Sequence, residues 1–149
     1  MDYLLDRAVR CVTVLDISAA ALARARQRLG RRHADVKWIE ADVTGEWTTS
    51  PVDIWHDRAV FHFLINPADR DRYRSHILRT VRREGSVIIA TFGPEGPLRC
   101  TGLPTLRYAP EDLETELGSR FRLRETVREA HSTPFGTTQE FWYSRFTVT

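Results

Sequence analysis

The chain holds two cysteines, one lysine and no apolar run long enough to cross a bilayer. Cys11 and Cys100 stand far apart, with no Cys-x-x-Cys pair and no paired histidine, so neither a disulfide framework nor a zinc site is expected, and no metal. Lys37 is the only lysine; the other basic residues are arginines scattered along the chain. Lys and Arg together number 22 against 20 Asp and Glu, a formal net charge of +2. That balance, without a basic run, gives no reason to expect nucleic acid. The opening Met-Asp-Tyr-Leu-Leu-Asp-Arg lacks the basic start and long apolar core of a signal peptide. No membrane partner is expected, and a cytoplasmic location follows by default. Repeats, linkers and low-complexity tracts are also missing, so residues 1–149 read as one domain, large enough to bury a core.

What is present is organised around Val12 to Gly30. Val-Thr-Val-Leu-Asp has the unalternating apolar pattern of a strand covered on both faces, as in a parallel sheet. Ser18 is placed to cap a helix, Leu22, Ala25 and Leu29 form its apolar stripe, and Gly30 stops it. Asp16 then stands at the C-terminal tip of a parallel strand. Open α/β sheets bind ligands there, and a carboxylate in that place can accept from both hydroxyls of a ribose.

The rest of the chain repeats this alternation. Residues 2–9, with Leu4, Leu5 and Ala8 at helical spacing, read as the last turns of a helix. Val36–Glu40 and Val52–His56 read as strands, the first followed by Ala41-Asp42-Val43 and the second by Asp57-Arg58. Asn66-Pro67-Ala68-Asp69 combines an N-cap, a proline at the first position and an acid in the first turn. The helix it starts is expected to run to about Arg83, with Tyr73, Ile77, Leu78 and Val81 inward and Gly85 ending it. Ser86–Phe92 is the clearest buried strand, and Gly93–Leu106 reads as a long loop. A short helix is expected over Pro110–Leu117. Strands Phe121–Glu129 and Gln139–Val148 should form a hairpin about Ser132-Thr133-Pro134-Phe135-Gly136. The sum is a doubly wound, Rossmann-like α/β sheet with an antiparallel edge. Right-handed crossovers put Asp16, Asp42 and His56-Asp57-Arg58 on one rim.

Val-Leu-Asp-Ile-Ser with its Ala/Arg-rich helix, Ile-Glu-Ala-Asp-Val, Val-Asp-Ile-Trp-His-Asp-Arg-Ala-Val-Phe-His-Phe-Leu and Gly-Ser-Val-Ile-Ile-Ala-Thr-Phe together resemble the small bacterial class I S-adenosylmethionine-dependent methyltransferases. The resemblance spans essentially the whole chain. It implies S-adenosylmethionine as cofactor, with Asp16 on the ribose hydroxyls, Ile17 beside the adenine, Asp42 on the adenine amino group and Val43 next to it. His56 would then close its strand near the methionine end. The family also carries a first strand and a glycine-rich loop before its first helix, and this sequence contains no Gly-x-Gly-x-Gly. By this resemblance the fold is expected to be N-terminally truncated. Losing two charge-assisted hydrogen bonds from such a loop would cost roughly 3–6 kcal/mol of cofactor binding.

Each candidate has a plainer reading beside the functional one. Asp16 and Asp42 can serve as helix-capping and turn aspartates. Asp57 and Arg58 can be a hydrogen-bonded corner rather than catalytic groups. His56 and His62 are candidate bases, since imidazole titrates near neutral pH, although transfer from a sulfonium mainly needs positioning. Trp55, Phe61 and Phe63 suit core or pocket wall; Cys100 suits a small loop residue, and Tyr108 and Trp142 suit packing. The expected activity is methyl transfer to a small-molecule acceptor, weak or absent in this chain. Two alternatives stand beside it: a non-catalytic remnant that self-associates, as a homodimer, through exposed sheet edges, and a nicotinamide-dependent oxidoreductase whose ribose Asp16 would serve equally well.

Overall fold

Two parallel strands and the helix between them make the first element of order in the computed structural model, which describes residues 2–7, 9–132 and 138–149. The chain divides into two units, Met1–Thr49 and Ser50–Thr149. In the first, α1 (Asp2–Asp6) is a short exposed helix; Ala8, expected on the same helix, lies outside the described residues. Strand β1 (Val12–Asp16) leads through α2 (Ala19–Leu29) and a 3-10 turn (Gly30–Asp35) to β2 (Val36–Glu40). β1 and β2 pair in parallel from Val12↔Val36 to Asp16↔Glu40. Ser18 Oγ accepts from the Ala21 amide at 3.2 Å, which satisfies one of the free amides of the first turn. Leu22 and Leu29 are buried and Ala25 half-buried, the stripe that the spacing predicts. Gly30 leaves the helix at φ 56°, a conformation open to glycine at little cost. Asp6 pairs with Arg32 at 2.7 Å and Asp2 with Arg28, joining α1 to the α2 end of the unit; as exposed pairs they contribute little.

In the second unit β3 (Val52–Arg58) is followed by α3 (Pro67–Thr80), β4 (Val81–Phe92), the two-residue strands β5 (Arg99–Cys100) and β6 (Leu103–Pro104), α4 (Pro110–Leu117), β7 (Phe121–Ser132) and β8 (Thr138–Val148). The four-stranded sheet has the order β3-β4-β8-β7, with β3 and β4 parallel and the two C-terminal strands antiparallel. Residues 133–136 of the expected hairpin turn lie outside the described residues.

Several details differ from the sequence reading. The helix α3 stops at Thr80, not Arg83, because Val81 turns to extended backbone and pairs with Val52. The ladder then skips to Ile54↔Ser86, so the residues between form a bulge in which Glu84 takes φ 62°. Leu78 is exposed, while His76 and Thr80 take buried places beside Tyr73 and Ile77. β3 continues past His56 because Asp57↔Ile89 and Arg58↔Ala90 extend its ladder. The loop at 93–106 contains the β5–β6 hairpin, whose Thr101 and Gly102 both take positive φ, the backbone a two-residue hairpin turn requires.

The sheet of the second unit has two distinct faces. Trp55 and Asp57 share one with Val87 and Ile89; α3 packs over β4, bringing the fully buried Tyr73 and Ile77, and α4 over β7. The opposite face carries Ala90, Phe92 and Phe141, packed against Ala59, Cys100 and Tyr143.

Candidate active site

The first unit places two of the sequence candidates at one strand end. Parallel pairing of β1 with β2 sets Asp16 and Asp42 at the C-terminal tips of adjacent strands, and the Ala41 amide donates to the Asp16 carbonyl at 3.2 Å. Asp16 is half-buried. Its Oδ1 accepts from the Ser18 amide at 2.8 Å, and among the described residues its other oxygen accepts no hydrogen bond. Ile17 is 70% exposed. Asp42 folds the next turn: Oδ1 accepts from the Thr44 amide and hydroxyl, both at 2.8 Å, and its carbonyl from Gly45 at 2.9 Å. Val43 is half-buried, with its carbonyl accepting from Trp47 Nε1 at 3.1 Å. An anchored carboxylate with a second acceptor oxygen left at a parallel-strand tip fits a vicinal diol.

In the second unit His56 and Asp57 are neighbours at the end of β3, pointing to opposite faces, and His62 lies on the turn that follows. His56 is exposed on the strand, and partial loss of ring solvation, then the Arg58 charge, hold it below its ordinary value. Asp57 faces the other way and is 5% exposed. Its Oδ1 accepts from the Val60 amide at 2.8 Å, and its Oδ2 from the Phe61 amide at 3.0 Å and the Tyr73 hydroxyl at 2.6 Å. Burial raises the Asp57 carboxyl, and these three donors work against that rise. The fully occupied carboxylate therefore holds a turn. Arg58 Nε donates to the Tyr143 hydroxyl at 3.0 Å, and its guanidinium lies 5.8 Å from the centre of the Phe141 ring.

His62 follows on a short 3-10 turn (Phe61–Phe63) and is fully buried. Its ring stacks on Phe92 at 4.5 Å and 22°, and meets the edge of Phe63 at 4.5 Å. Nδ1 accepts from the Phe92 amide at 3.4 Å, which assigns the proton to Nε2, and among the described residues buried Nε2 has no hydrogen-bond partner. Burial pushes His62 down to about 4. The ring is thus neutral at pH 7, a weak base and a ready hydrogen-bond donor. Nearby, Tyr108 is buried against Phe61; among the described residues its hydroxyl has no hydrogen-bond partner, and burial raises that hydroxyl to about 12. Cys100 is half-buried against the apolar cluster, and Trp142 Nε1 donates to Glu140 at 3.2 Å.

The residue that sequence reasoning missed is Tyr73. Its helical spacing marked it as core, which it is, but no local pattern shows that its hydroxyl reaches a carboxylate sixteen positions earlier. Among the described residues no group of three or more His, Cys, Asp or Glu could hold a metal, and no helix is long and apolar enough to cross a membrane.

Comparison with known proteins agrees with this architecture. A family model described as a methyltransferase domain matches residues 1–85. A malonyl-[acyl-carrier protein] O-methyltransferase of Paenibacillus sp. (strain JDR-2) is 32% identical over 87 residues; the match takes in 56% of this chain and 30% of that protein's length. Among solved structures, the N-methyltransferase NodS of Bradyrhizobium japonicum WM9 superposes with a TM-score of 0.73 at 17% identity, over 93% of this chain and 73% of that one. The 1,6-didemethyltoxoflavin-N1-methyltransferase of Burkholderia thailandensis, solved with 1,6-didemethyltoxoflavin and S-adenosylhomocysteine, gives a TM-score of 0.74 at 21% identity, over 99% of this chain and 65% of that one. At such identities the structural likeness shows the fold, an α/β fold of the class I methyltransferase type.

Proposed function

The chain belongs to the methyltransferase-domain family, and from that premise we propose that it moves a methyl group from S-adenosylmethionine to a small-molecule acceptor. The observation that carries this reading is Asp16: a half-buried carboxylate, anchored through one oxygen and presenting the other at the tip of a parallel strand. In this reading Asp16 takes the ribose hydroxyls, Ile17 flanks the adenine, and Asp42 takes the adenine amino group with Val43 beside it. Asp57 acts by holding the turn that follows, and His62 as a neutral donor rather than a base. The cofactor, when bound, supplies an electrophilic methyl on a sulfonium. What this chain's residues contribute is orientation and exclusion of water. The small acceptor is supported by the 1,6-didemethyltoxoflavin bound in the structurally similar Burkholderia thailandensis methyltransferase.

A melting-temperature screen with S-adenosylhomocysteine, S-adenosylmethionine and the nicotinamide nucleotides tests it. A ligand at a hundred times its Kd stabilises by about 2.7 kcal/mol, enough to move the transition by several degrees. A rise with the two sulfur nucleotides alone supports the reading. A rise with a nicotinamide nucleotide instead would favour the oxidoreductase alternative.

One observation favours a second reading. Among the described strands β1 pairs only with β2, and β3 only with β4, so each sheet ends on an edge, and the β1 edge (Val-Thr-Val-Leu) carries no charge before Asp16. Such edges recruit other chains. A concentration-dependent dimer in sedimentation would support a remnant acting by self-association, and a monomer at all concentrations would remove it.

A further inference from the structure

Asp57 is buried and forms no ion pair among the described residues. Such a carboxylate is costly unless donors surround it. Two of its donors are the amides of Val60 and Phe61, which open the turn carrying His62; Val60, the residue before that turn, has no side-chain cap of its own. The third donor, the Tyr73 hydroxyl, comes from α3. Tyr73 is fully buried, and its hydroxyl accepts from Trp55 Nε1 at 3.1 Å while donating to Asp57 at 2.6 Å. Its ring packs on Phe61 at 5.0 Å. Between Asp57 and Val60 the backbone passes through Ala59 at φ 67°, a left-handed conformation that is unfavourable when a Cβ is present. The Ala59 amide donates to the Ala90 carbonyl at 3.0 Å and the Leu106 amide to the His62 carbonyl at 2.8 Å; between those two ties the occupied carboxylate is the side chain that holds the turn.

We propose that Tyr73 is a positioning residue for His62: its hydroxyl fixes the Asp57 carboxylate, and the carboxylate fixes the turn that sets the imidazole against the Phe92 amide. The role of that imidazole at the acceptor site rests on the methyltransferase reading; the positioning itself does not. A ring that only filled space would be replaced by phenylalanine without effect on His62.

The test is nitrogen-15 NMR of the His62 imidazole in the full chain at neutral pH, for the wild type, Tyr73→Phe, Asp57→Asn and the double variant, with S-adenosylhomocysteine titrated into the same samples. The wild type should show the widely separated nitrogen shifts of a single tautomer. Both single variants should lose part of that separation, and the double variant should lose no more than the larger single. An unchanged His62 spectrum in Tyr73→Phe, or an effect undiminished in the Asp57→Asn background, overturns the proposal. Should Tyr73→Phe not fold, Asp57→Asn decides alone. Its amide has one acceptor oxygen for two backbone donors, so an unchanged His62 spectrum would refute the relay. Failure of the wild type to bind S-adenosylhomocysteine would count against the methyltransferase reading and leave the His62 result standing.

Discussion

Acidification should destabilise this protein through His62, by an amount that can be worked out. The imidazole has an ordinary value of 6.5 and a folded value of about 4, because burial disfavours its charged form. Between those values the unfolded chain binds more protons than the folded one. Stability that is fully present above the unfolded value is therefore lost as pH falls, and the loss is complete below the folded value. The whole window is worth about 3 kcal/mol, of which about 2 kcal/mol falls between about pH 7 and about pH 5. Asp57 works in the opposite sense, since its raised carboxyl binds its proton more tightly when folded, and the lowered His56 adds to the loss on acidification. The comparison that isolates His62 is therefore wild type against His62→Gln, in which the other two groups cancel. Urea unfolding followed by far-ultraviolet circular dichroism across this range should show the wild type losing about 2 kcal/mol more than the variant. Parallel losses in the two proteins would refute the assignment of a buried, neutral His62.

Three further substitutions test the packing. Phe146 is fully buried, so Phe146→Ala should cost about 3–5 kcal/mol in denaturant unfolding. A Cβ at Gly93 would land on the indole nitrogen of Trp142, so Gly93→Ala should destabilise by about 1–3 kcal/mol and alter tryptophan fluorescence. Ser18→Ala removes the cap of α2 and should cost about 1 kcal/mol, read as a fall in melting temperature.

Local signals were legible and distant ones were not. The Leu22–Leu29 stripe and the Asn66-Pro67 start could be read because both depend on neighbours within a turn; Asn66 Oδ1 indeed accepts from the Ala68 amide at 3.0 Å. The end of α3 was hidden because apolar spacing continues through Val81 while the visible stop, Gly85, comes later. Pairing with Val52 across the sheet overrode that spacing. The placement of Asp16 and Asp42 on adjacent strand tips followed from parallel topology alone. The three donors of Asp57 did not follow, since one of them arrives from another helix and two depend on the left-handed Ala59.

The measurement that bears most directly on the central claim is calorimetric titration of S-adenosylhomocysteine into the wild type and into Asp16→Ala. The account predicts saturable binding by the wild type that is weakened at least about tenfold in the variant, since a lost hydrogen bond to a charged group is worth about 1.5–3 kcal/mol. Equal binding by the two proteins, or no binding by a folded wild type, would contradict it.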